Sequence, residues 1–124
     1  MPINRNGCWT YPAKVKKVLD GDTVDLFVDM GLELFATVRV NLNGLDAPEL
    51  GGVTAQPKKA KMAKKKLKEI LKSFDPSNYV IVDFIAKSER GWEAVLYWPD
   101  IPAKDRVPSN SVNMEMHAYL AEIR

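Results

Sequence analysis

Two short acidic motifs carry the residues best suited to chemistry. Asp20 and Asp22 stand in DGDT, and Asp46 and Glu49 flank Ala47-Pro48 in DAPE. Carboxylates on short turns are hard oxygen donors for a divalent cation. A sparse set of them leaves positions for water and a substrate phosphate. Asp, Gly and Pro also dominate ordinary turns, so each motif taken alone reads first as a turn. A single histidine, His117, and a single cysteine, Cys8, exclude His-pair and Cys-cluster metal sites and an internal disulfide.

The elements around these motifs follow from hydrophobic period. Val24, Leu26 and Val28 alternate with Asp25, Phe27 and Asp29, and Leu34 to Leu42 alternate in the same way. Three strands in a meander are predicted within residues 12–42, with the glycine of DMGLEL suited to the second turn. On the third strand Arg39 and Asn41 should share the face opposite the aliphatic one. From residue 57 to 74 the period becomes helical, with Ala60, Ala63, Leu67, Ile70, Leu71 and Phe74 as its apolar stripe. Residues 79–86 and 92–98 read as two further strands, and Ser111 can cap a last helix. The predicted class is α+β, mainly β: a five-stranded OB-type barrel with one helix after strand 3 and a C-terminal helix. Residues 1–11 read as an N-terminal extension and 12–124 as the domain.

Charge is unevenly placed. The chain carries +2 overall, yet residues 57–72 hold eight lysines and one glutamate, leaving ten basic against fifteen acidic residues elsewhere. Such a helix is either a solvated face or a phosphate-attracting surface. Lys58, Lys61, Lys64 and Lys65 are its candidate nucleic-acid contacts, and Trp92 is the candidate base-stacking residue among aromatics that otherwise fill cores. No apolar run approaches membrane-spanning length, and no secretory signal is apparent, so a cytoplasmic monomer without membrane contact is expected.

KVLDGDTVDL followed by RVNLNGLDAPEL resembles the thermonuclease family, the staphylococcal nuclease-like domains. The likeness continues through the lysine-rich helix, ERGWEAVLYW and the SVN that opens the last helix, covering residues 12–123. It implies an OB barrel that hydrolyses phosphodiesters in DNA or RNA, single-stranded by preference, with calcium as cofactor. Asp22 and Asp46 would bind the metal directly with the Ala47 carbonyl beside them, and Asp20 would support the site. Glu49 would orient or deprotonate the attacking water. Two arginines of the family pattern would bind the phosphoryl oxygens as charge builds.

At those arginines the sequence departs from the pattern. The family run R-V-R-L-x-G-I-D-A-P-E places its catalytic arginine at the position of Asn41, while Arg39 matches the first, non-catalytic arginine. The second catalytic arginine is offered by Arg90, but alignment through Ala94 puts Gly91 in that place. An asparagine gives neutral hydrogen bonds where arginine presents a charged fork. The expectation is a calcium-dependent endonuclease of reduced activity, helped by Arg39 or Arg90. The alternative is an impaired nuclease-like domain that binds nucleic acid or a protein partner.

Overall fold

The computed structural model describes residues 9–45, 57–72, 79–89 and 91–123. Its strands are β1 (Thr10–Asp20), β2 (Thr23–Gly31), β3 (Leu34–Leu42), β4 (Tyr79–Ser88) and β5 (Gly91–Tyr97). They close into a barrel in the order β1-β2-β3-β5-β4. The β3–β5 contact is parallel, joining Val40–Leu42 to Trp92–Ala94, and the other four are antiparallel. With α1 (Pro57–Lys72) after β3 and α2 (Val112–Ile123) at the end, this is the mainly-β α+β barrel of OB type that the element order predicts.

Closure depends on β1. Its first half pairs with β4 and its second half with β2, and register shifts between Val15 and Lys17 and between Val18 and Asp20 bend it between them. Bulges of this kind raise local twist and let one strand serve two neighbours. Alternating residues then line the interior, where Val24, Leu26, Val40, Val80, Val82 and Leu96 are fully buried. The β2–β3 turn differs from the simplest expectation. Gly31 is its closing residue, and Leu32 and Glu33 occupy the two central positions with φ of 55° and 65°.

Helix α1 seals the core with Ala60, Ala63, Leu67, Ile70 and Leu71, all buried. Its lysines repel one another at i,i+4 spacing by ~0.2–0.5 kcal/mol per pair. Burial of Leu67, Ile70 and Leu71 contributes ~1.5–3 kcal/mol each, so packing outweighs the repulsion. Phe74 of the predicted stripe lies outside the described residues. Ser111 caps α2 as its sequence position suggests, with Oγ accepting the Met114 N–H at 3.1 Å. Two short 3-10 turns, Ala103–Asp105 and Pro108–Asn110, lie between β5 and α2.

Candidate functional site

The DGDT motif is the β1–β2 turn: Asp20 pairs with Thr23, and Gly21 and Asp22 form the loop between them. Asp22 is only 7% exposed. Its carbonyl accepts the Leu42 N–H at 2.7 Å, which draws the turn onto the end of β3. Thr23 stands directly opposite Asn41 in the β2–β3 register. The DGDT turn is thereby held at the end of β3, and in sequence the DAPE motif begins four residues beyond Leu42.

Three polar side chains meet at this corner. Thr23 Oγ1 lies 2.9 Å from Asp22 Oδ1 and 3.2 Å from one terminal atom of the Asn41 amide. A hydroxyl has one proton, and the carboxylate is the stronger acceptor at the shorter distance. Two amide orientations fill the same space at Asn41. With Oδ1 towards Thr23, Nδ2 is buried with no hydrogen-bond partner among the described residues. With Nδ2 towards Thr23, the amide donates to the hydroxyl oxygen and the hydroxyl passes its own proton to Asp22. The second orientation gives Nδ2 a partner, where an unpaired buried donor costs about 1–3 kcal/mol, and turns Oδ1 to the other buried side. The corner is then a relay from Asn41 through Thr23 to the Asp22 carboxylate.

Arg39 and Asn41 share a strand face as expected, but their environments differ. Asn41 is 9% exposed. Arg39 turns outward onto Asp25, its cross-strand neighbour, with Nε 3.0 Å from Oδ1 and an NH2 group 3.4 Å from Oδ2. That hydrogen bond, and next the carboxylate charge, raises the Arg39 pKa above its ordinary value. The guanidinium is thus directed to Asp25, not to the Asp22 corner. Glu93, half-buried, registers beside Asn41 across the parallel β3–β5 contact and adds negative charge on that side.

Gly91 explains how β5 approaches so closely. It has φ of 129°, and a Cβ there would stand 3.0 Å from the Arg39 carbonyl oxygen and 3.5 Å from Asn41 Nδ2. A side chain at position 91 would have to push the Arg39 carbonyl back by a few tenths of an ångström, and an arginine there would be strained in backbone and in contact. Arg90, Asp46, Ala47 and Glu49 lie outside the described residues. Of the proposed metal and catalytic set, the described structure positions Asp20, Asp22, Arg39 and Asn41.

Trp92 faces the barrel interior. Its ring meets Phe84 edge-on at 5.8 Å between centroids, with the Lys87 ammonium 5.6 Å from its own centre. Together with Trp9, Tyr11 and Phe84 it lines an apolar cavity of about 170 Å³ that extends to Met30 and Ala36. The candidate lysines occupy α1, where Lys58, Lys61 and Lys65 are exposed and Lys64 is half-buried. This helix packs on β1 and α2, and Lys66 sits 5.5 Å from the centre of the Tyr119 ring.

Sequence reasoning missed Thr23, Asp25 and Asn113. Strand alternation carries a signal for the first two, because pairing β2 with β3 in register sets Thr23 against Asn41 and Asp25 against Arg39. Asn113 is tertiary: it reaches from α2 to Leu96 N, Ala94 O and Asn43 O. Among the described residues no three His, Cys, Asp or Glu side chains group as a cation site. Comparison with protein-family models and with curated proteins finds no match for the chain.

Proposed function

We propose that this barrel is a slow calcium-dependent phosphodiesterase acting on single-stranded DNA or RNA. One observation carries the reading: the Leu42 N–H bond to the Asp22 carbonyl brings the DGDT turn to the point where the chain leaves β3 for Asp46 and Glu49. Carboxylate and carbonyl oxygens from Asp22, Asp46 and Ala47 are the hard donor set calcium prefers. Calcium bound there would neutralise phosphate charge and acidify a water. Thr23 orients the Asp22 carboxylate by donating to it, and Asn41 keeps Thr23 oriented. Glu49 is the proposed base for the attacking water.

Slow turnover follows from the same corner. Asn41 can offer a phosphoryl oxygen at most a neutral N–H donor, where the pattern of the family it resembles has a charged arginine fork. Losing one oxyanion donor costs roughly 10²–10³ in rate. A second reading, nucleic-acid binding without turnover, is favoured by the Arg39–Asp25 pair, which occupies the nearest described arginine.

The test is incubation of a labelled single-stranded oligonucleotide with calcium, with EDTA, and with the Asp22→Asn and Asn41→Arg variants. Slow cleavage that EDTA and Asp22→Asn abolish, and that Asn41→Arg accelerates, supports the enzyme. Cleavage by Asn41→Arg alone, with salt-sensitive binding by the natural chain, supports the second reading. Neither cleavage nor oligonucleotide binding in any variant removes both.

A further inference from the structure

The outer face of β1, β2 and β3 has a charge pattern that matches itself. Cross-strand register arranges its side chains in rows: Lys17–Asp25–Arg39, then Lys14–Phe27–Thr37, then Asp29–Phe35, then the Gly31–Leu34 pair with Leu32 and Glu33 beyond it. Phe27 and Phe35 stack in parallel, with centroids 5.1 Å apart and ring planes 4° apart. Both stay in solvent, at 42% and 54% exposure. Pro12 and Lys14 border them in one shallow depression. Exposed stacked phenyl rings between a basic end and an acidic tip are the centre of a contact surface.

We infer that this face pairs with the same face of a second copy, about a two-fold axis that lies in the contact plane across the strands. Rows two residues apart are separated by about 6.6 Å. The midpoint between the Phe27 and Phe35 rows is therefore about 10 Å from the Lys17 row and about 10 Å from the Gly31–Leu34 row. The axis sets Lys17 and Arg39 against the partner copy's Glu33 tip, and Lys14 against its Asp29 row. Lys17 and Lys14 each meet an opposite charge, while Asp25 is already paired with Arg39 of its own copy. A phosphate backbone is disfavoured, because Asp25, Asp29 and Glu33 lie along the same face.

The contact is small. Three strands about 4.8 Å apart and four rows cover roughly 14 by 20–26 Å, short of the ~800 Å² per partner of stable complexes. The dimer is consequently weak, and it is independent of the phosphodiesterase reading.

Sedimentation equilibrium of the full chain at low salt, over roughly 10–500 µM, tests the pairing. The natural chain should approach dimer mass at the top of that range, and Phe35→Ser should remain monomeric. Lys17→Glu and Glu33→Lys should each weaken association about tenfold, while an equal mixture of the two should regain natural affinity. Both positions are exposed, so thermal melts should show intact barrels. A natural chain that stays monomeric, a dimer indifferent to Phe35→Ser, or a mixture without recovery overturns the proposal. Oligonucleotide binding by a monomer, lost in Phe35→Ser, overturns it in favour of a nucleic-acid platform.

Discussion

Replacing Asn113 by alanine should cost this protein more than any helix-cap or surface change. Asn113 is 6% exposed and lies in the first turn of α2. Its Oδ1 accepts the Leu96 N–H at 3.0 Å, and its Nδ2 donates to Asn43 O at 2.9 Å and Ala94 O at 3.1 Å. Ala94 O also accepts the Asn43 N–H at 2.8 Å, so one side chain ties α2, β5 and the segment leaving β3. Alanine removes the two Nδ2 hydrogen bonds, worth about 1 kcal/mol each, and leaves the buried Leu96 N–H unpaired at about 1–3 kcal/mol, for a total of about 3–5 kcal/mol. For a chain of 124 residues, each kcal/mol shifts Tm by about 4 °C. The expected drop is about 12–20 °C by calorimetry or circular dichroism, with a single transition retained. Aspartate should do no better, because it keeps the acceptor and loses both donors. A fall of less than about 4 °C would refute the assignment of Asn113 as the tie between helix and barrel.

Gly91→Ala should destabilise by about 1–3 kcal/mol, since φ is 129° and the new methyl would stand 3.0 Å from Arg39 O; urea unfolding reads the loss directly. The doubly substituted Leu32→Asn, Glu33→Gly chain should gain about 1–2 kcal/mol, because both central turn residues have positive φ and Asn-Gly suits that turn. An unchanged Tm would count against that turn geometry. Burial, and secondarily the Asp83 charge, raises the Tyr97 pKa above its ordinary value of 10.0. A raised pKa means that the folded state retains a proton the unfolded chain releases, so this contribution is complete below pH 10 and is lost as pH rises through the folded pKa. Tyr97→Phe should therefore show a shallower decline of Tm above about pH 10 than the natural chain, while the lysines titrate equally in both.

Local patterns in the chain were enough for the elements, because burial on one face leaves a period that can be read directly. The alternation from Val24 to Val28 and the stripe from Ala60 to Leu71 reappear as barrel and helix faces, whereas Leu34 and Phe35 at the start of β3 are both exposed. The DGDT and SVN motifs became a β1–β2 turn and a capped helix start. Side-chain partners were less legible, because alternation assigns a face without saying what shares it. Arg39 and Asn41 lie on one face, yet only the β2–β3 register decides that Arg39 meets Asp25 and Asn41 meets Thr23. The chemical vocabulary of the corner, two aspartates with an asparagine where the family it resembles has arginine, is a property of the sequence alone. Whether that asparagine sits in solvent or is drawn into a relay to Asp22 was decided by barrel closure. The parallel approach of β5 at Gly91 and the Leu42 bond to the turn bury it, and no local pattern contains that proximity.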